Sequence, residues 1–412
     1  MSSLTNNITR LQGIGLLATT LLGTGIFILP QITVEIAGID AILSWSLLTL
    51  IILPIVLIFS KLSSLHSHAA GPAYFIEQAF GKITGRMIGC LFVLAVPVGA
   101  AAALMMAMTF ISGLISLSDE LELAIYFLML ATLWLLNIKD VQLSAKIQLG
   151  LTITVTAIVL LMLIFFMIDP TPVIKPAEPA RSFDPILTAA GIAFWSFLGI
   201  EALSHFSSEF KNPKRDFVPA MIIGTSMVGF LYLACVWLVA DYQKEGQLSM
   251  VVAFDSLFGF GGRWVIGVLG VISALATINV YIGSVARLCW SLSNDEVLPK
   301  FCAQLNKHQV PQKSATMIIS SIALVVIAQY IYHMEFEIFI NLTNGIFVLI
   351  YGVSMASALK LLAKKYHFLA VTSILCCGLV AIILGWNMLY AIVLALITSL
   401  FLYGQTRYQH KR

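Results

Sequence analysis

The sequence predicts an all-α integral membrane protein that crosses the bilayer twelve times. Three observations predict this class: an apolar composition, a series of apolar runs of spanning length, and an uneven distribution of Lys and Arg among the connections. Of the 412 residues, 59% are hydrophobic and only 10% are charged, with a mean hydropathy of +0.97. Soluble domains carry about 25% charged residues. We therefore expect residues 1–412 to form a single transmembrane domain.

Twelve apolar runs remain when the chain is divided at charged or Pro/Gly-rich segments. Each is close to the ~20 residues that a helix needs to cross the hydrocarbon core. The runs are 11–35, 41–62, 84–116, 122–138, 143–168, 186–206, 217–240, 263–291, 314–333, 336–360, 366–385 and 387–405. Among the connections, we expect a short helix or re-entrant piece in 64–89 and a short interfacial helix in 247–260.

The positions of Lys and Arg predict the orientation of these spans. With twelve spans and the N-terminus in the cytoplasm, only four of the 23 basic residues face the other side: Lys175, Arg181, Lys244 and Arg263. Such an excess of cytoplasmic positive charge is what the positive-inside rule requires. The sequence therefore predicts that both termini are cytoplasmic, as expected of a multi-pass protein of the cell inner membrane.

The first run contains a glycine pair, Gly23 and Gly25, on either side of Thr24. Glycine weakens a helix by about 1 kcal/mol relative to alanine. Non-helical backbone at membrane depth is tolerated only where it is buried in protein or lines a cavity. This span is therefore either a closely packed helix or one half of a binding site.

The sixth run has a second interruption, where Gly199 is followed by the carboxylate of Glu201. A charge at the bilayer centre costs around 3 kcal/mol on insertion scales, so intramembrane ionisable groups indicate function. Glu201, His205 and Glu209 are spaced by four residues and are predicted to share one helix face. Interfacial positions at a helix end remain the alternative for His205 and Glu209, and Arg287 is expected to extend to the cytoplasmic interface.

The two interrupted spans lie five spans apart, which indicates an inverted repeat. Because five is odd, a tandem five-span unit re-enters the membrane in the opposite sense. Where the breaks meet, helix N-termini attract an anionic group and freed carbonyls attract a cation. An α-amino acid zwitterion presents both.

Other functional classes are disfavoured by the sequence. The net charge of +3 is small and scattered, which argues against nucleic acid. The six cysteines show no C-x-x-C spacing, so neither a metal site nor a cofactor is expected. The sequence contains neither H-E-x-x-H nor G-x-S-x-G, which argues against an enzyme. A transporter-like sensor is a remote alternative, because no soluble output domain is apparent. The oligomeric state is left open.

Three segments resemble the amino acid–polyamine–organocation (APC) superfamily of transporters. They are GIGLLATTLLGTGIFILP, GPAYFIEQAFG and WSFLGIEALSHFSSEFKNPKRDFVPA, and the similarity continues through NVYIGSVARLCWSLSNDEVLP and NLTNGIF. The resemblance covers essentially the whole chain. It implies a LeuT-type 5+5 inverted repeat with discontinuous helices 1 and 6, the repeats being 11–168 and 186–362, followed by two extra C-terminal helices within 366–405.

The resemblance also implies positions for the site. The carboxylate-binding segment would fall on 20–26, the amino-group site on the backbone of 195–199, and an aromatic gate on Trp195. The implied substrate-binding residues are Thr20, Gly23, Thr24, Gly25, Ile26, Trp195, Ser196, Phe197, Gly199 and Asn279, the last being equally compatible with interhelical packing. Some members carry a coupling lysine in the fifth span, but 149–167 contains none. Proton coupling or gating is therefore expected of Glu201 with His205.

The third span could supply the wall for the substrate side chain. Small residues at 99–103 permit close helix approach, whereas Met105, Met106 and Met108 could form an adaptable apolar pocket. The resemblance extends to bacterial exporters of L-methionine and branched-chain amino acids. The expected function is proton-coupled export of neutral hydrophobic L-amino acids. Import or exchange of another amino acid or an amine is the alternative.

Overall fold

The computed structural model describes residues 8–23, 25–138, 145–168, 178–180, 182–244, 246–306 and 310–409. These residues form sixteen α-helices and several short 3-10 or π turns. The helices are α1 (Arg10–Leu22), α2 (Gly25–Ala37), α3 (Ala41–Leu65), α4 (Pro72–Phe80), α5 (Lys82–Leu114), α6 (Asp119–Ile138), α7 (Ala145–Ile168), α8 (Asp184–Ala193), α9 (Ile200–Ser204), α10 (Val218–Ala240), α11 (Ser249–Phe258), α12 (Gly262–Asn294), α13 (Gln312–Tyr332), α14 (Phe336–Leu361), α15 (His367–Leu384) and α16 (Met388–Gln409).

The predicted all-α membrane class is confirmed, and the exact span count stays a prediction. Nine helical segments of the described chain are long and apolar enough to cross a membrane, or ten when α1 and α2 are counted as one bent span. One of the nine, Lys364–Gln405, contains α15 and most of α16, and α6 is not among the nine. The short helices expected in 64–89 and 247–260 are α4 and α11.

The two broken helices lie at the centre of the helix packing. The two longest helices, α5 and α12, pack against each other, and α14 packs against α5. Of these three helices, α12 also contacts both α1 and α9, and α14 also contacts α8. Both interrupted spans are thus surrounded by protein, the condition under which irregular backbone is tolerated at membrane depth.

The broken helices are also fastened to each other at both ends. At one end, the backbone N–H of Ile8 donates to the carbonyl of Glu209 at 3.0 Å, and Arg10 forms a 2.8 Å ion pair with Asp216. At the other end, the N–H of Ala180 donates to the Asp40 carboxylate at 2.9 Å. The start of α1 therefore lies beside the segment after α9, and the end of α2 beside the segment before α8. The first and sixth spans run antiparallel.

Candidate substrate site

The first break separates α1 from α2 at Gly23. This residue has φ 37° and ψ −134°, a conformation that favours glycine, and the two helices meet at 42°. The carbonyls at the end of α1 receive other donors. The hydroxyl of Tyr232 donates to Leu21 and Leu22 at 3.1 and 3.2 Å, and that of Thr277 donates to Thr19 at 3.1 Å. The predicted interruption is confirmed, and side chains of α10 and α12 compensate for it.

The second break lies between α8 and α9. After Ala193 the chain forms a 3-10 turn over Phe194–Phe197, then an extended residue, Leu198. Gly199 follows with φ 133° before α9 begins at Ile200. The sequence-based prediction of an interruption at Gly199 is thus also confirmed.

The two breaks touch each other. A Cβ atom placed on Gly199 would lie 2.8 Å from Cγ2 of Thr20, and one placed on Gly25 would lie 2.6 Å from the hydroxyl of Tyr232. Contacts this short are not tolerated between real side chains. Close packing and interruption, the two alternatives for the glycine pair, therefore both occur in the first span.

A cavity lies where the breaks meet, between the broken helices and α5, α12 and α14. Its wall is formed by uncharged residues. From the broken helices come Thr20, Leu21, Leu22, Gly23, Gly25, Trp195 and Leu198; from α5, Val96, Gly99, Ala100 and Ala103; from α12, Thr277, Ile278 and Tyr281; and from α14, Thr343 and Phe347.

The structure divides the predicted binding residues into three groups. Thr20, Gly23, Gly25 and Trp195 line the cavity. Four others do not line the cavity but are adjacent in sequence to residues that do: Ile26, Ser196, Phe197 and Gly199. Thr24 lies outside the described residues. Asn279 is buried and its side-chain oxygen accepts a 2.8 Å hydrogen bond from Asn137 of α6, so it joins two helices.

Glu201 is fully buried directly behind the cavity wall. Its carboxylate accepts hydrogen bonds from the backbone N–H of Gly199 at 3.0 and 3.1 Å. It also accepts from the hydroxyl of Tyr281 at 2.8 Å and from that of Tyr351. These donors are all neutral, so they stabilise the carboxylate without balancing its charge. Because Tyr281 lines the cavity, one side chain connects the cavity to Glu201.

The prediction that Glu201, His205 and Glu209 share one helix face is wrong, because α9 ends at Ser204. The ring of His205 lies against the loop before α4, where its Nδ1 is 2.7 Å from the Ala69 carbonyl oxygen. Glu209 lies in a separate 3-10 turn and pairs with Arg287 at 3.2 Å. Both partners are largely buried, at 10% and 13% side-chain exposure. The interfacial positions expected for Glu209 and Arg287 stay a prediction.

The fifth span has a hydroxyl group where it meets the first. Thr152 of α7 donates to the carbonyl of Gly15 at 3.0 Å, and its hydroxyl lies 2.6 Å from that of Thr19. Thr19 in turn donates to the carbonyl of Gln148 at 2.8 Å. In place of a lysine, this interface thus holds a neutral network.

Several residues of the site were not predicted from the sequence. Tyr351 and Tyr232 are single tyrosines within apolar runs, and neither is part of a motif. The apolar wall on α5 consists of Val96 and the small residues Gly99, Ala100 and Ala103, whereas Met105, Met106 and Met108 are buried outside the lining. The period of a helix could have indicated these small residues, which occupy one face at 96, 99, 100 and 103.

Comparison with known proteins gives a consistent assignment. Residues 8–409 match the family model described as amino acid permease. The chain is 31% identical over 399 residues to the L-methionine/branched-chain amino acid exporter YjeH of Escherichia coli, covering 96% of this chain and 95% of the relative. It is 25% identical over 427 residues to the uncharacterized amino acid permease YecA of Bacillus subtilis, covering 100% and 98%. It is 23% identical over 354 residues to the putrescine transporter PotE of Escherichia coli, covering 82% and 80%.

The match extends over both broken helices and every wall of the cavity, and it agrees with the superfamily resemblance of the sequence motifs. The chain belongs to the amino acid permease family of the APC superfamily, a family of membrane transporters and not of enzymes.

Proposed function

We propose that the chain is a secondary transporter that exports neutral hydrophobic L-amino acids across the inner membrane in exchange for protons. Methionine, leucine, isoleucine and valine are the proposed substrates. The observation that carries this proposal is the uncharged cavity at the junction of the two helix breaks. The name of the Escherichia coli relative, a methionine and branched-chain amino acid exporter, supports the substrate class.

The backbone at the breaks suits the two charged ends of an amino acid. The first N–H groups of α2, beginning at Gly25, lack intrahelical acceptors and lie at the positive end of the helix dipole. They are proposed to bind the substrate carboxylate. Carbonyls of the segment where α8 gives way to the 3-10 turn and Leu198 are proposed to bind the ammonium group, beside Trp195.

The remainder of the cavity suits an apolar side chain. The α5 wall faces the cavity together with Phe347 and consists of Val96, Gly99, Ala100 and Ala103. A branched or thioether side chain of the substrate would therefore be removed from water and pack against apolar atoms. A dicationic amine would need a second carboxylate, and the wall contains none. This feature favours neutral amino acids over the putrescine class.

Proton coupling is assigned to Glu201. A proton on one carboxylate oxygen would replace the hydrogen bond donated there by Tyr281 or Tyr351, and would remove a charge that costs around 3 kcal/mol at membrane depth. The released tyrosine would loosen the contact of α9 with α12 or α14. Protonation thereby favours one orientation of the broken helices over the other, as alternating access requires.

Counterflow in proteoliposomes tests the substrate class. Vesicles loaded with unlabelled methionine should take up labelled methionine, and the same holds for leucine, isoleucine and valine. Vesicles loaded with lysine or putrescine should not support this uptake. Efficient counterflow with putrescine and none with methionine would contradict the proposal and favour an amine transporter. Uptake by cells that is faster than efflux from preloaded cells would favour an importer.

A further inference from the structure

Three lysines converge at one end of α3, α14 and α15, away from the substrate cavity. Lys61 lies near the C-terminal end of α3, one turn before its last residue, and Lys364 and Lys365 lie in the 3-10 turn between α14 and α15. The ammonium groups of Lys61 and Lys365 lie 5.8 and 5.2 Å from the centroid of the Tyr366 ring. Two cations from different helices thus approach one aromatic ring. We refer to Lys61, Lys364 and Lys365 as the lysine cluster.

The charges of this cluster are available to a ligand. Lys364 and Lys365 are exposed and Lys61 is partly exposed. Within the described residues, none of the three forms an ion pair with an acidic side chain. The neighbouring Lys360 differs, because its ammonium group donates to the Ala79 carbonyl at 3.0 Å. Among the residues that the structure describes, this concentration of positive charge therefore has no acidic partner.

The first turn of α15 adds to the attraction for an anion. This helix has 18 residues and begins at His367, directly after the lysine pair. The N–H of His367 donates to the Lys364 carbonyl of the preceding turn, so the contribution of the helix is the positive end of its dipole, which lies beside the lysines. An anionic group with several oxygens, such as a phosphate, would accept hydrogen bonds from the ammonium groups and be stabilised by this dipole.

An apolar stripe continues from the cluster along α15. Phe368, which is 84% exposed, begins the stripe. It continues at intervals of three or four residues through Val371, Leu375, Leu379 and Ile382, all at least 40% exposed. Residues at this spacing share one helix face. A ligand that places an anion on the lysines can therefore lay a hydrocarbon chain along the same helix, which a free phosphate cannot do.

We propose that the lysine cluster and the α15 stripe form a binding site for an anionic phospholipid. The phosphodiester headgroup lies between Lys61, Lys364 and Lys365, and an acyl chain follows the stripe from Phe368. Basic pockets between membrane helices on the side where Lys and Arg concentrate bind such headgroups. The site holds α3 and α15 together through a shared ligand.

The test is native mass spectrometry and thermal melting of the full-length protein in a neutral detergent. The probes are dioleoylphosphatidylglycerol, dioleoylphosphatidylcholine and inorganic phosphate. The test variant is Lys61→Gln/Lys364→Gln/Lys365→Gln. The control variant, Lys211→Gln/Lys214→Gln/Lys300→Gln, removes the same charge from exposed lysines on other connections. Equal melting temperatures of both variants and the wild type in phosphatidylcholine establish that they are folded.

Phosphatidylglycerol should remain bound to the wild type and the control variant and raise their melting temperatures. Its affinity for the test variant should fall by roughly fivefold per lysine, or about a hundredfold in total. Equal losses in the two variants, or no loss in either, would overturn the proposal by showing a diffuse surface attraction. Displacement of the lipid by millimolar inorganic phosphate would also overturn it, because the site would then be one for a free anion.

Discussion

The hydroxyl of Tyr281 donates a 2.8 Å hydrogen bond to Glu201 while its side chain forms part of the cavity wall. A substrate in the cavity and a proton on Glu201 would therefore act on the same side chain. Such a shared contact is a physical basis for coupling, because each ligand changes the hydrogen bond that the other encounters.

Replacing Tyr281 by Phe should weaken proton-driven transport and spare exchange. The phenyl ring keeps the cavity wall, whereas the donor to Glu201 is lost, and a hydrogen bond to a charged group contributes about 1.5–3 kcal/mol. We expect accumulation driven by a pH gradient to fall about tenfold or more, with counterflow retained. Tyr403→Phe, on the exposed part of α16, is the control. Equal effects on counterflow and accumulation would argue against a coupling role.

Valine at Gly23 or Gly25 should abolish transport without preventing insertion. At Gly23 the positive φ disfavours a β-branched residue. At Gly25 a Cβ would lie 2.6 Å from the Tyr232 hydroxyl and would cover the first N–H groups of α2. Gly378→Val, at a glycine with open space around it, should transport normally. Normal counterflow by both Gly23→Val and Gly25→Val would show that the break is not part of the substrate site.

Alanine at Trp195 should weaken substrate binding. The ring lines the cavity, and buried aromatic residues at binding sites commonly contribute about 2 kcal/mol or more. The dissociation constant for methionine, measured by scintillation proximity, should therefore rise by about 30-fold. Trp264→Ala, at a tryptophan that is 61% exposed, should bind normally. Unchanged affinity in Trp195→Ala would exclude this ring from the site.

Leucine at Ala103 should change substrate selectivity. Ala103 belongs to the α5 wall, and a larger side chain there would occupy the space proposed for the substrate side chain. The affinities for methionine and leucine should fall by about 10- to 200-fold, the effect of one methylene group added to or removed from an apolar pocket. The affinity for alanine should be preserved. The control is Ala131→Leu on an exposed face of α6. Parallel losses for methionine and alanine would show a folding defect in place of a pocket effect.

The two ion pairs made by the segment between α9 and α10 should differ in their contribution to stability. Breaking the buried Glu209–Arg287 pair with Glu209→Gln should cost about 3–5 kcal/mol, because it leaves a buried charge. Breaking the Arg10–Asp216 pair, whose arginine side chain is 42% exposed, with Asp216→Asn should cost about 0–1 kcal/mol. Thermal melting in detergent compares them. A larger loss for Asp216→Asn would contradict the burial argument.

The sequence predicted the backbone of the site better than its side chains. Glycines and an intramembrane carboxylate stand out in an apolar run, so the breaks at Gly23 and Gly199 could be predicted and Glu201 could be singled out as a candidate. The partners of Glu201 come from α12 and α14, and a tyrosine in an apolar span gives no sign of whether it faces lipid or protein. The face proposed for His205 and Glu209 was wrong because their spacing indicates proximity only if the helix continues past Ser204.

Proton-driven methionine transport by proteoliposomes tests the central claim most directly. With methionine inside and an imposed pH gradient, acidic outside, the wild type should lose methionine faster than without the gradient. Glu201→Gln should bind methionine and support counterflow, yet efflux should be the same with and without the gradient. An unaltered response to the gradient in Glu201→Gln would contradict the account, because it would show that the carboxylate takes no part in proton coupling.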